Sequence, residues 1–489
     1  MASTVNLDAL IPREDFSITG QNDISSVLIQ TIPITQLERG CMVASVLRKP
    51  DFQRETNEWS PNTVCEFVKS FLDGDLIPAV ILWRSTNGNL FVIDGSHRLS
   101  ALISWVQDDY GDGAHSREFY DHQITKEQLK VAESTRKLIH RTCGSYHDHK
   151  RALENPRGAD PELLKRANTL ASIALQVQWV KGDADRAEAS FFKINQQAAP
   201  INKTELRLLQ SRRKPNAVAA RAIVRSGTGH KYWSAFQSET QTEVENIAKD
   251  INQIIFTPEL NTPIKTLDLP VAGKGYAAQS LPLIFDFVNL VNHVTDKTKL
   301  VDDSDGTETI KYLKRCRKII RRISGTHASS LGLHPAVYFY GTNGRYQPSA
   351  FLAMVSTFQN FEESNKFVEF TGIRPSFETF LLNHKDFISQ VTYKLGTRLK
   401  TANKNEAFRG GIPKIAYLFN FAIDGFIAGK TEEQILAEIQ NDQNLNFLKL
   451  LPTDEIKSAD FSTVEKSKVF LKEAINNLNK CKRRCPEFS

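Results

Sequence analysis

Leu90-Phe91-Val92-Ile93-Asp94-Gly95-Ser96-His97-Arg98-Leu99-Ser100-Ala101-Leu102 is the stretch on which the fold of this chain turns. Leu90 to Ile93 is a short apolar run of the buried-strand type, and Leu99, Leu102, Ile103 and Val106 recur at helical spacing. Asp94 to Arg98 therefore joins a strand to a helix. Such a junction presents the free N–H groups and partial positive charge of a helix start, which suit phosphate. Gly95 lets a backbone approach closely. Arg98 can clamp phosphate oxygens with two parallel hydrogen bonds, and His97 can donate a hydrogen bond or transfer a proton. Asp94 can hold magnesium or polarise a water. The same residues admit a plainer assignment, in which Asp94 caps the helix and Arg98 pairs with a carboxylate. Five residues alone do not decide between the two.

Upstream, Ile32 to Leu37 reads as an opening strand leading to a turn. Ser60-Pro61 is a helix cap followed by proline at the first helical position. Val64, Phe67, Val68, Phe71 and Leu72 give that helix one buried face, and Asp73-Gly74 stops it. Ala79 to Trp83 is a second strand, joined to Leu90 through the Asn87-Gly88 turn. Downstream, residues 107–170 are polar and irregular with short helical stretches, and read as an insertion. Ala174 to Val180 then alternates like a strand and Ala184 to Asn195 is helical. Asn202-Lys203-Thr204-Glu205, flanked by Ile201 and Leu206, has the pattern of a capping box with its hydrophobic staple.

Beyond about residue 215 the pattern is mostly helical. Leu313, Cys316, Ile320 and Ile323 mark one helix, and Ile415 to Ile427 and Glu432 to Ile439 mark two more. A short strand pair is expected around Ala336 to Tyr340, with a turn at Asn343-Gly344. The fold class is thus α+β: a small mixed α/β domain over residues 1–215, carrying the insertion at 107–170, followed by a mostly helical domain over 216–489.

With 489 residues, 40% hydrophobic and 24% charged, the composition is globular and long enough for two or three domains. The apolar stretch Leu281 to Val291 is interrupted by Asp286 and Asn289 and falls short of the roughly 20 residues that span a bilayer. Met1 to Arg13 holds no apolar signal core. The six cysteines are scattered, and Cys481 and Cys485 lack a second close pair to complete a zinc site. The expectation is a cytoplasmic protein with reduced thiols and no membrane partner.

The net charge of +6 says less than its distribution. Arg212-Arg213-Lys214 form one basic cluster, and Lys480, Lys482, Arg483 and Arg484 another. The densest runs from Lys311 to Arg322, with Arg317 inside it and no acid. Lys311, Lys314, Arg315, Lys318, Arg321 and Arg322 are the candidate DNA contacts. A solvated helix face is the plain alternative. Tyr338, Tyr340 and Tyr346 near Leu331-Gly332-Leu333-His334-Pro335 are assigned to the core rather than to base stacking.

Asp51-Phe52-Gln53-Arg54, Asp73-Gly74-x-x-Ile77-Pro78, Ile93-Asp94-Gly95-x-His97-Arg98-Leu99-x-Ala101-Leu102 and Phe192-x-Ile194-Asn195, then Ile201 and Glu205-Leu206, follow one another in an order that resembles the DUF262 branch of the ParB/sulfiredoxin-like superfamily, the DGQQR or DGQHR proteins. The resemblance covers roughly residues 30–210. It implies a ParB-like fold and a site that binds and hydrolyses a nucleoside triphosphate with magnesium, ATP foremost and GTP or CTP as alternatives. On it, Asp94, His97 and Arg98 carry catalysis, with Asp94 as the metal ligand. Gln53, Arg54, Gly95, Ser96, Arg98 and Asn195 bind the nucleotide, with Glu205 nearby.

The resemblance further implies DNA as a partner, in a DNA-modification or phage-defence restriction system, beside a modifying or restriction enzyme. Ser96 departs from the pattern, standing where the family usually has glutamine. The His-Asn-His nuclease that some relatives add is not found, since Asn383-His384 stands alone and His327 and His334 have no ligand partner at helical spacing. Two other functions remain open: a non-catalytic DNA-binding or regulatory module, and a nuclease that cuts at the ParB-like site itself.

Overall fold

The computed structural model describes residues 4–14, 16, 28–53, 55–198, 207–208, 210–257, 270–273, 280–341, 345–398 and 404–450, without the helical side chains of 195–198, 393–398 and 404–410. Arg54, the Asn202–Glu205 box with its staple, the Asn343-Gly344 turn, Cys481, Cys485 and the basic cluster at 480–484 lie outside the described residues. The chain forms two compact units. The first comprises residues 1–213, 227–235 and 276–282, and the second 214–226, 236–275 and 283–489. A mixed sheet with helices precedes a mainly helical remainder, which is the α+β class expected.

The first unit is built on six strands: β1 (Arg13–Glu14), β2 (Thr31–Pro33), β3 (Leu47–Pro50), β4 (Val80–Arg84), β5 (Leu90–Asp94) and β6 (Ala174–Trp179), in the spatial order β1-β3-β5-β4-β6-β2. β1, β3 and β5 run parallel to one another, β4 runs antiparallel to β5, and β6 runs parallel to β4. The anticipated opening strand is shorter than read: Ile34 leaves the sheet into a 3-10 turn, Ile34–Leu37. At the β4–β5 hairpin Gly88 takes φ +85°, which a side chain would resist.

Helix α1 (Met42–Val46) is a short turn before β3. Helix α2 (Pro61–Leu72) starts where the sequence places it: Ser60 Oγ accepts from the Thr63 N–H at 3.1 Å, and Pro61 occupies the first turn. Val64, Val68 and Leu72 bury its inner face. With α3 (Ser96–Gln107) it covers one face of the sheet over Leu47, Val80, Leu82 and Val92. The other face carries an aromatic cluster of Phe16, Phe52, Trp83 and Phe91, closed by Phe191 of α8 (Ala184–Ala198).

Residues 107–170 differ from the irregular insertion expected. They form α4 (Ala114–Phe119), α5 (Lys126–Cys143), α6 (Tyr146–Glu154) and α7 (Pro161–Ser172). Ala132, Ile139 and Cys143 of α5 and Tyr146 of α6 join the core beneath α2 and α3. The polarity that disguised these helices belongs to their outer faces. The starts of α5, α6 and α7 are capped by Thr125, Ser145 and Asp160, short-range signals that outweigh it.

The second unit is helical: α9 (Pro215–Val224), α10 (Ser238–Phe256), α11 (Ser280–Val291), α12 (Thr307–Ile323), α13 (Pro335–Tyr338), α14 (Pro348–Ser364), α15 (Phe367–Asn383), α16 (Asp386–Arg398), α17 (Lys404–Ile427) and α18 (Glu432–Asn441). The strand pair expected at Ala336–Tyr340 is instead the helical turn α13, started by Pro335 and the His334 ring, which accepts the Ala336 N–H. Among the described residues there, a single bridge joins Tyr340 and Tyr346. Tyr338 and Tyr340 are core residues, and Tyr346 is half-buried with its hydroxyl enclosed. Among the described residues no helix is long and apolar enough to cross a membrane.

Candidate functional site

Because β3 and β5 are adjacent and parallel, the chain leaves both at one edge of the sheet. Asp51-Phe52-Gln53 follows β3 and Asp94-Gly95 ends β5, so two motifs 40 residues apart in sequence sit side by side. In open sheets the crevice beyond such strand ends is where ligands collect. The pairing of β4 with β5 steps from Leu82↔Val92 to Ile81↔Asp94, so Ile93 is an extra residue there. A bulge of this kind re-aims the side chains at the end of a strand.

Gly95 has φ +94° and caps α3 without any side-chain hydrogen bond to the helix start. A Cβ on Gly95 would stand 2.8 Å from Val80 Cγ1 and 3.3 Å from Arg98 Nη2, so space and backbone both require glycine. Asp94 is not the cap of the plain assignment. No side chain caps the start of α3, where the partial positive charge of a helix favours an anion.

Arg98 is committed within the fold. Its Nη2 donates to Asp94 Oδ2 at 2.5 Å, and its Nη1 donates to the carbonyls of Ala79, at 3.1 Å, and Pro78. The plain assignment was therefore right in part: Arg98 does pair with a carboxylate, and the carboxylate is Asp94. The pair is half-exposed, 15% for Arg98 and 34% for Asp94, within reach of a ligand. His97 is half-buried, its ring stacked on Trp59 with centroids 5.7 Å apart. Ser96 is buried.

Gln53 is buried, and its Oε1 finds no hydrogen-bond partner among the described residues. Phe191 and Phe192 pack on Phe52 at 5.0 and 6.1 Å, which sets α8 beside the Gln53 loop. Asn195 lies on that helix, with its side chain outside the description. Arg212 joins the cluster, with Nη1 2.8 Å from Glu188 Oε1 and Nε 3.4 Å from Asp51 Oδ2, its guanidinium over the Phe52 ring.

What fixes the Gln53 loop is a buried charge cluster that the sequence did not announce. Asp8 Oδ1 accepts from Arg13 Nη2 and from Lys49 Nζ, both at 2.7 Å, and from the Thr56 N–H at 3.0 Å. Arg13 also donates to the Gln53 carbonyl, and Lys49 to the Asp8 carbonyl at 2.7 Å. All three charged side chains are essentially inaccessible. Charged residues are almost never so buried unless paired, so composition and periodicity gave no signal.

In the second unit the basic stretch is α12, and the acids missing from the stretch itself come from its neighbours. Lys314 pairs with Glu243 at 2.7 Å and Arg321 with Asp250 at 2.5 Å, both acids on α10. Lys318 and Arg322 share Glu362 of α14 at 2.6 and 2.8 Å. Lys311 pairs with Glu308 one turn back, and Arg315 donates to Asn292 Oδ1 at 3.4 Å. Asn383 and His384 are held by Glu432, 3.0 and 2.8 Å away. Among the described residues no group of three or more His, Cys, Asp or Glu is arranged to hold a metal ion.

Comparison with known families matches residues 35–210 to the GmrSD restriction endonuclease, N-terminal domain, the DUF262-type domain that the motifs resemble. Searches of curated proteins and of solved structures found no match.

Proposed function

From a GmrSD-type restriction-endonuclease domain at residues 35–210, we propose that the chain binds a nucleoside triphosphate at the Asp94 loop, hydrolyses it, and works in the cytoplasm within a DNA-restriction or modification system directed against phage. The observation that carries the reading is the start of α3. Its N–H groups have no capping side chain, and they open beside the Asp94–Arg98 pair at the end of two parallel strands. A phosphate chain is the ligand such a start favours.

Each residue then has a task. The uncapped start of α3 receives phosphate oxygens, and Arg98 supplies positive charge. The Asp94 carboxylate, bonded to Arg98 through Oδ2, positions a water. His97, held by Trp59, moves the proton. Gln53, Arg54 and Asn195 complete the ligand shell. Magnesium ordinarily binds through one or two carboxylates plus the phosphates themselves. The donor set here, with Asp94 as its one carboxylate among the assigned residues, fits magnesium that arrives with the triphosphate, where it neutralises phosphate charge. DNA and a DNA-modifying or restriction enzyme are the partners, and α12 is the surface assigned to DNA.

A second reading has its own support. Arg98 is already bonded to Asp94 and to two carbonyls, as it would be in a binding module that performs no hydrolysis. Phosphate release from ATP, GTP and CTP with magnesium, with and without DNA, separates the two. Turnover that disappears in folded Asp94→Ala and Arg98→Ala supports the triphosphatase. Wild-type protein that binds DNA and releases no phosphate overturns it. Cleavage of plasmid DNA without nucleotide would instead point to a nuclease at the same loop.

A further inference from the structure

Next to the Asp94 loop lies a cleft of about 430 Å³, with Leu76 to Ala79 on one wall and Gln176, Val177 and Gln178 of β6 on the other. It joins the loop in two ways. The carbonyls of Pro78 and Ala79, in its wall, are the ones Arg98 holds. Asp94, Ile81 and Gln178 also align in one row across β5, β4 and β6. At ~4.8 Å per strand that row places Gln178 about 10 Å from Asp94, a separation that a ribose bridges. The volume is in the range of small-molecule sites, about 300–1,000 Å³.

The lining is unusual for a surface at the end of a sheet. Leu76 is fully exposed, and Pro78 beside it is exposed too. Gln176 and Gln178 flank the buried Val177 and project uncovered amides. No residue that lines the cleft is ionisable. Its ligand is therefore flat and uncharged at this end, with an apolar face for Leu76 and Pro78 and a polar edge for an amide.

Resting on the triphosphate reading above, we propose that this cleft holds the nucleobase and that its glutamines favour adenine over guanine. A glutamine amide meets the amino donor and ring-nitrogen acceptor of adenine with two hydrogen bonds. Guanine presents two acceptors on the matching edge, which call for arginine or lysine, and the cleft holds neither. Arg98 then links the two halves of the site, since it fixes the wall of the base cleft while standing beside the phosphates.

The test is equilibrium binding of ATP, GTP and inorganic tripolyphosphate to the full chain. Wild type, Gln176→Ala/Gln178→Ala, Leu76→Asp and Arg98→Ala are compared. The expected result is that wild type binds ATP at least tenfold more tightly than GTP or tripolyphosphate. The glutamine double variant and Leu76→Asp lower ATP to the level of tripolyphosphate while keeping tripolyphosphate affinity, which also shows that the unit is folded. Arg98→Ala weakens both ligands. An unchanged ATP preference in the glutamine double variant overturns the base cleft, as does a wild type that prefers GTP, even when tripolyphosphate still binds. Absence of any tripolyphosphate or nucleotide binding overturns the triphosphate reading itself.

Discussion

Arg98 Nη2 stands 2.5 Å from Asp94 Oδ2, four residues back across the strand-to-helix turn, while its Nη1 holds the backbone before β4. One guanidinium thus ties the end of β5, the start of α3 and the Pro78–Ala79 segment. A lysine cannot do this, because its ammonium is a point charge on a flexible stem where arginine has a rigid fork. Arg98→Lys is expected to lose at least ten-fold in phosphate release and to lower the unfolding midpoint, whereas Asp94→Asn loses turnover with a smaller change in stability. Phosphate release and thermal unfolding of the two variants check the pair.

Gly95→Ala forces a side chain into a left-handed backbone and against Val80. Strain of this kind costs about 1–3 kcal/mol. The variant is expected to unfold at lower urea and to lose nucleotide affinity through the displaced start of α3. Urea titration and tripolyphosphate binding read the two effects separately.

Asp8→Ala leaves Arg13 and Lys49 buried together without their shared carboxylate. Breaking a buried pair from one side costs about 3–5 kcal/mol. The cost should appear as a lower-denaturant transition of the first unit, followed by the fluorescence of Trp59 and Trp83. A change below about 1 kcal/mol, the usual worth of an exposed ion pair, would contradict the burial described.

Lys385 is buried against the carbonyls of Ala336, Val337 and Tyr340, and burial pulls its pKa from the ordinary 10.5 down to about 7. Between those values the unfolded chain binds the proton that the folded chain has released, so stability rises with pH. The rise is expected from about pH 7 to pH 9.5, below the range where the buried tyrosines begin to count. Lys385→Met should flatten it. Unfolding of the second unit at three pH values tests the sign.

Glu362→Gln releases both Lys318 and Arg322 from their shared acid. If α12 meets DNA, affinity at low salt should rise several-fold and its dependence on salt should steepen. Unchanged affinity and slope would make α12 a helix-to-helix clamp instead.

What could be read from the sequence was local. Ser60-Pro61, Asn87-Gly88 and the strand–Asp94–Gly95–helix junction each carry their geometry in two or three neighbouring residues, and each formed where expected. What could not be read was made by distant partners. The Lys318 and Arg322 cations are answered by Glu362, about 40 residues on, which no scan within the helix detects. Lys49 reads as a surface residue until Asp8 and Arg13 are placed beside it. Ala336–Tyr340 was expected to form part of a strand pair, yet Pro335 and His334 start a helical turn. At the candidate site the strand-to-helix junction was legible, but the bond between Arg98 and Asp94 was one of two assignments that the sequence left open.

The order of strands has a consequence for how the chain comes together in time. β2 is second in sequence but last across the sheet, and its partner is β6: Thr31 waits for Gln176. Closing loops of that length is slow, and long-range pairings set the pace of folding. A chain emerging from the ribosome has exposed β2 and assembled the Asp94 turn long before β6 arrives to cover the open flank of β4. Until then the unpaired backbone edge of β4 is exposed, and a chaperone or a second chain competes for it. Overproduction at lower temperature, which slows synthesis and aggregation alike, is the condition that favours recovery of the intact sheet.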